Sequence, residues 1–370
     1  SMLILRTITV PIPLSVTKVT LPMRQKTGRI TIKEVAAAAG VSQQTVSRVL
    51  NDRHDVSTDT RKRVQNVIDM MGYSPSALAR SLIRQRSFTL GIVTAGLGLI
   101  GPSRALSGMT YASEAARYSI LLKEMPQFDI NNIAPVFQAL ISRHVDGIIW
   151  AVPEVGDNHH WVNKMETDPD LPLVFLSMEP REDITVVAIN NYLGGRMATT
   201  HLLEQGYHHI GHIAGPMDWW EARQRMNGWK DALLDAGMEV KETHWSEGNW
   251  ASSNGMQAFK HLIKKYPEMD AVFVANDQMA LGAMQAAYQA NLRIPHDLGI
   301  VGFDNIPEAN FFHPPLTTVQ QDLFSLGKLA VEELVKMIEA GWMEQEPVET
   351  RSIMLSPSLI VRQSSYRKRE

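Results

Sequence analysis

Between Thr31 and Asn51 apolar residues recur at helical spacing in two short runs, Ile32, Val35 and Ala36, then Val46, Val49 and Leu50, with Gly40 between them. Positions three and four apart share a helix face, so the pattern predicts two amphipathic helices. Gly40 suits the end of the first because it adopts backbone angles that other residues avoid, and Ser42 suits the cap of the second. The polar face of that second helix carries Gln43, Gln44, Ser47 and Arg48. Val56 to Met71 reads as a third helix, capped by Ser57, with Thr60, Val64, Val67, Ile68 and Met71 inward and Gly72 at its end. Pro75 then breaks the chain. The following stretch, Ser76 to Ile83, has helix-forming residues but is too short to hold a helix alone, since helices under about 12 residues are marginal in water.

From Phe88 the period changes. FTLGIVT, SILLKEM, VDGIIWAV, LPLVFLS, TVVAIN, HIGHIAG, MDAVFVAND and LGIVGFD are short and apolar, with amphipathic segments between them. Such runs predict strands covered on both faces, hence parallel sheets joined by helical crossovers. The span is too long for one open sheet, and two lobes with a cleft at the carboxyl ends of the strands are the natural solution. The first 22 residues lack the compact apolar centre and small-residue cleavage site of a secretory signal, 1–28 read as a disordered extension, and Met23 is a candidate natural start.

Composition adds exclusions. A chain of 370 residues, 44% hydrophobic and 20% charged, can bury a sizeable globular core, and no window approaches the roughly 18 apolar residues of a membrane helix. The absence of cysteine excludes disulfides and thiolate chemistry and fits a cytoplasmic protein. The net charge of -3 conceals an asymmetry: from Arg24 to Leu90 twelve Lys and Arg face five Asp and Glu, a net +7 that leaves -10 for the remainder. A basic end on an acidic body points to phosphate contacts confined to that end. HExxH, GxSxG, a P-loop and convincingly paired carboxylates are all missing. The run His208, His209, His212 alternates on a strand entering the core, so neither an enzyme, nor a metal site, nor a cofactor is expected.

The wording VSQQTVSRVLN resembles the second helix of the lactose repressor (LacI/GalR) family, and the resemblance extends over roughly Arg29 to Arg362. It implies an α/β architecture: an N-terminal all-α helix-turn-helix domain plus a bilobal periplasmic-binding-protein-like core of two doubly wound parallel sheets. The implied divisions are an extension (1–28), a DNA-binding domain (29–75), a hinge helix and linker (76–87) and a core (88–370). Within the core the N-lobe takes about 88–188 and 321–350, and the C-lobe about 189–320 and 351–362. By the same resemblance Gln43, Gln44 and Arg48 read base edges in a major groove, Arg48 being suited to bidentate pairing with guanine. Ser42, Thr45, Ser47 and Asn51 are assigned to phosphates, and Ala79 and Leu82 to a hinge helix that wedges apolar side chains into the minor groove.

Family positions also imply a ligand site. Asn276 in ANDQMALGAM, Asp304 in VGFDN and Arg225 in AGPMDWWEARQRMNGW supply donors and acceptors, Trp250 a flat apolar face and Leu99 an apolar contact. Hydroxyls on the rim of a pyranose need hydrogen bonds while its C–H face stacks on an aromatic ring, so a mono- or disaccharide effector fits. Asn276 and Asp277 also read as helix caps. Departures from the family's type member are Ala95 and Gly96 in place of a hydroxyl, Ser177 in place of a carboxylate, Trp150 in place of a smaller polar residue, and an aromatic loop at Trp219 and Trp220. These leave glucosides, other oligosaccharides and β-galactosides open, and the extra indoles open between stacking platforms and packing. The expected function is a homodimeric repressor released from a palindromic double-stranded operator by a sugar. The alternatives are a regulator with a nucleobase or nucleoside corepressor, and a non-regulatory sugar-binding protein. The C-terminal LSPSLIVRQSSYRKRE has no leucine heptads for a tetramer.

Overall fold

A computed structural model describes residues 30–50, 53–73, 86–128, 133–158, 160, 162, 171–342 and 349–367. The chain divides into two compact units, Ser1–Arg84 and Gln85–Glu370. The first holds α1 (Ile32–Ala39), α2 (Gln43–Leu50) and α3 (Thr58–Met71). Val35, Ala36, Ala39, Val46, Val49, Val64 and Ile68 form its core, so the apolar stripes read from the sequence meet one another. Each junction has its chemical cause. The Thr31 hydroxyl and the Glu34 carboxylate close a reciprocal capping box on α1, and the latter's hydrogen bonds to Thr31 hold it below the ordinary carboxylate range. Gly40 ends α1 at φ 64°, where only glycine is free of strain. Asn51, Ala79, Leu82 and the segment Ser76 to Ile83 lie outside the described residues.

The second unit begins with β1 (Thr89–Ala95), α4 (Ile100–Ala115), β2 (Ser119–Met125), α5 (Ala134–Ile141), β3 (Gly147–Ala151), β4 (Leu173–Leu176) and β5 (Thr185–Ile189). It continues with α6 (Asn191–Glu204), β6 (Ile210–Ala214), α7 (Trp220–Asp235), β7 (Trp245–Glu247), α8 (Ser252–Lys265), β8 (Ala271–Val274), α9 (Asp277–Gln289), β9 (Gly299–Asp304) and β10 (Thr317–Gln320). Then come α10 (Leu323–Trp342), β11 (Ser352–Leu355) and β12 (Ser358–Ile360). Two six-stranded sheets result, ordered β11-β5-β4-β3-β1-β2 and β12-β10-β9-β8-β6-β7, parallel throughout except for the antiparallel β10–β12 pair. In each sheet the order reverses beside its first strand, at β1 and at β6, which opens a crevice at the carboxyl ends of the strands.

Central strands are buried on both faces, as their uninterrupted apolar runs require: Leu90 and Ile92 face one helical layer, Val93 and Ala95 the other. SILLKEM departs from this rule; β2 sits at the sheet edge with most of its residues partly or fully exposed, which its Lys and Glu tolerate. The sequence division of the C-terminal segment also needs correction. Ser352–Leu355 pairs parallel with Thr185–Ile189, so this part of 351–362 belongs to the N-lobe, and only β12 joins the C-lobe sheet. Arg351, donating through Nε and Nη2 to one carboxylate oxygen of Glu333 on α10, holds that strand to the first lobe. The chain therefore crosses between the sheets after β5, after β10 and between β11 and β12. Of the three histidines, only His212 is within a strand. It is fully buried against Trp229 and Phe273 and bonded to the Phe273 carbonyl, and burial pushes its pKa down to about 3. No helix among the described residues is long and apolar enough to cross a membrane.

Candidate functional site

In the helical unit, α2 buries Val46 and Val49 and leaves Gln43, Gln44 and Arg48 exposed, so the three expected base readers share an accessible face. The Ser42 hydroxyl accepts the Thr45 backbone N–H at 3.1 Å and lies 2.9 Å from the Thr45 hydroxyl, which caps α2. Ser42 is exposed, and Thr45 and Ser47 are partly buried. Arg48 is paired with Asp55 at 3.3 Å, both side chains about half exposed at 47% and 55%. An exposed pair of that kind is worth under about 1 kcal/mol, so Arg48 can leave it for a better acceptor.

The larger unit contains a cleft of about 730 Å³, mouth included, between the two sheets. Leu99, Arg225, Trp250, Asn276 and Asp304 all line it, although Leu99, Trp250 and Asn276 come from three strand-to-helix connections, Asp304 from a strand end and Arg225 from the second turn of α7. Arg225 is buried on α7, where Gly195 of α6 makes room: a Cβ there would stand 2.3 Å from the Arg225 carbonyl oxygen. Its Nε donates to Asn191 at 2.8 Å and Nη1 to the Ala275 carbonyl at 2.5 Å, while Asp304 lies 4.0 Å away. The guanidinium lies over the Phe303 ring at 3.8 Å, with Trp250 at 5.4 Å. Burial lowers the Arg225 pKa, against the pull of Asp304 and Glu221.

Asp304 accepts the Gln321 amide at 2.6 Å, and its carboxyl is pushed up to about 6, by burial first, with Arg225 opposing. Asn276 is both cap and wall. Its Oδ1 accepts the Met279 N–H at 2.8 Å, and its Nδ2 donates to the Trp250 carbonyl and to Gln278, each at 3.0 Å. Asp277 does not line the cleft; it is buried, accepting Thr318 Oγ1 at 2.6 Å and the Ile306 N–H at 2.9 Å, which ties α9 to β10. The Trp250 indole lies against Gly215, where even a Cβ would come within 2.1 Å of the ring. Trp219 meets it edge-on at 5.7 Å and 73°. Three residues on the wall, Ser177 (φ 53°), Trp250 (φ 72°) and Asp304 (φ 109°), hold left-handed backbone, a strain that proteins keep where side-chain placement matters.

Of the departures noted in the sequence, Ser177 and Trp219 face the cleft. Trp150 and Trp220 do not: both pack in the first-lobe core, Trp150 stacked on Phe137 at 5.8 Å. Ala95 and Gly96 are also absent from the lining. Sequence reading overlooked Glu221, Gln278 and Gln321. Glu221 stands one helical turn before Arg225, a spacing that puts both on one face and could have revealed it. Among the described residues no group of His, Asp and Glu is placed to hold a metal ion.

Residues 31–76 match the family described as bacterial regulatory proteins, lacI family, and residues 199–365 match the periplasmic binding protein-like domain. The ribose operon repressor of Escherichia coli K12 is 32% identical over 88% of this chain and 98% of its own length. The transcriptional regulator CelR of Thermobifida fusca is 32% identical over 91% and 98%. Among solved structures, a CelR–cellobiose complex covers 91% of this chain and 100% of its own at a TM-score of 0.67 and 32% identity. A Lac repressor dimer bound to operator and the anti-inducer ONPF covers 91% and 99% at 0.78 and 29%. With its three-helix unit, its bilobal core and this breadth of similarity, the chain belongs to the LacI family of bacterial transcriptional regulators.

Proposed function

We propose that this protein is a sequence-specific DNA-binding repressor, released from a palindromic operator when a mono- or disaccharide fills the cleft. What carries the reading is the convergence of an indole face, a guanidinium, an amide and a carboxylate on one cleft in a chain that also presents an exposed Gln43, Gln44 and Arg48 face. Hydroxyl-rich ligands need that mixture: the ring stacks while hydroxyls both donate and accept. Nδ2 of Asn276 donates to Gln278 on the cleft wall, a hydrogen bond that a ligand hydroxyl can replace without leaving a donor unsatisfied.

DNA binding follows from α2 entering a major groove, with a homodimer reading two half-sites, the assembly in which the similar Lac repressor structure is described. Coupling runs through the start of the first lobe. The Asp146 carboxylate accepts the Ser87 and Phe88 N–H groups at 2.8 and 3.0 Å, so the chain that leads from the DNA-binding unit is fastened to β1 and β3. A ligand shifts the balance of two states only by its differential affinity for them, and moving from 1:99 to 99:1 takes about 5.5 kcal/mol. Sugar binding at two sites of about -4 to -8 kcal/mol each can supply part of this. A thermal-shift screen against mono- and disaccharides with nucleobases tests the effector class: a saccharide that raises the melting temperature supports it, and a nucleobase response with sugars silent replaces it with a nucleobase regulator.

A further inference from the structure

The charge on the cleft wall is unbalanced. Among the described residues its charged lining is Glu221, Asp304 and Arg225, with no lysine or second arginine. Arg225 is already engaged by Asn191, the Ala275 carbonyl and Asp304. Arg104 acts on Asp304 through its field but stands outside the lining. Glu221 and Asp304 therefore share the field of one lining cation, Arg225. It lies in the first turn of α7, in the C-lobe, yet its side chain is hydrogen-bonded to Ser177 at the end of β4, in the N-lobe. It thus spans the cleft where a ligand must lie. Burial pushes its carboxyl above the ordinary range, Arg225 and Ser177 pull it back, and Asp304 and Glu154 push it a little further.

We propose that Glu221, bridging to Ser177 across the cleft, is a specificity determinant that makes the site take uncharged saccharides and reject their phosphate esters. A phosphate brings up to two negative charges and demands several N–H donors or cations, as at an arginine cluster or a helix N-terminus free of acid. Here the N-terminal turn of α7, which faces the cleft, is occupied by Glu221 itself, and the one guanidinium among the described lining residues is engaged. Neutral hydroxyls meet no such conflict, because a carboxylate accepts two or more of their O–H groups. Discrimination of this kind arises from a repulsive element as much as from an attractive one.

This inference rests on the saccharide reading above, and its test separates the two. Titration calorimetry on the full chain compares glucose, maltose, trehalose and cellobiose, each with its 6-phosphate ester. At least one neutral sugar is expected to bind, with its ester at least about tenfold weaker. In Glu221→Gln the ratio of the two affinities should shrink by about tenfold, whichever way the absolute values move. In Ser177→Ala, which keeps the charge, the ratio should persist. An ester that binds as well as its parent sugar overturns the exclusion while leaving the saccharide reading intact. A ratio unchanged in Glu221→Gln, or lost in Ser177→Ala, overturns the assignment to the Glu221 charge. Silence of every pair overturns the saccharide reading itself.

Discussion

The C-lobe wall of the cleft presents Trp219, Glu221, Arg225, Trp250, Asn276 and Asp304, whereas the N-lobe wall presents Leu99, Ile100, Pro102, Ala105, Pro153 and Leu176, with Ser177 as its hydroxyl. The first set is bought with burial and strain: a buried guanidinium, a carboxyl raised to about 6, and left-handed backbone at Trp250 and Asp304. The second set carries less of that kind, left-handed backbone at Ser177 being its share, since apolar residues are at ease beside a core. The proposed saccharide recognition is therefore concentrated in one lobe, with the other supplying the apolar surface opposite. Such a division suits a regulator, because closure can then be felt by the lobe that carries Ser87 and Phe88 on Asp146.

If that contrast is right, the largest loss comes from Arg225→Ala. It leaves Asp304 buried without its cation, and breaking such a pair costs about 3 to 5 kcal/mol, visible as a lower denaturation midpoint and lost saccharide binding. Next is Trp250→Ala, which removes the stacking face and should weaken saccharide binding by about 2 to 3 kcal/mol in calorimetry. Operator affinity should be unchanged. Arg48→Ala, in the other unit, should cost about 1 to 3 kcal/mol of operator binding and relax preference at one base pair, with saccharide affinity intact. A selection from random duplexes that returns the same sequence preference would remove Arg48 from the base readers.

The smallest mutational effect is expected on the apolar wall, where Leu99→Ala should weaken saccharide binding by only about 1 kcal/mol. A loss as large as that of Trp250→Ala would abolish the distinction between the walls. The same contrast has a pH signature. Burial raises Asp304 to about 6 and Asp277 to about 7, so between the ordinary carboxyl range and these values the folded state binds more protons than the unfolded one. Their contribution to stability is thus full below about pH 4 and is lost as the pH rises to about 7. Asp304→Asn should flatten the part of that decline that ends near pH 6, read as melting temperature against pH.

Periodicity made the helical unit and most central strands legible, since a stripe every three to four residues and a doubly buried apolar run each have one economical fold. The short strands β7, β10, β11 and β12 carry too few residues for such a signal. β11 was assigned to the wrong lobe because four residues say nothing about which sheet edge is vacant. In the site, residues at strand ends within family wording are legible, whereas Gln278, in the first turn of α9, and Gln321, one residue past β10, look in sequence like ordinary surface amides. Trp150 and Trp219 were equally conspicuous in sequence; only packing separates the one stacked in the core on Phe137 from the one beside Trp250.

The most direct measurement titrates a binding saccharide from the screen into the complex of the protein with an operator selected from random duplexes, followed by fluorescence anisotropy for the unaltered chain and for Trp250→Ala. The expected result is a sugar-dependent release of the unaltered protein, and a variant that binds operator equally well without sugar yet no longer responds to it. Loss of operator binding together with the sugar response, or a variant that still responds, would contradict the claim that occupancy of this cleft governs DNA binding.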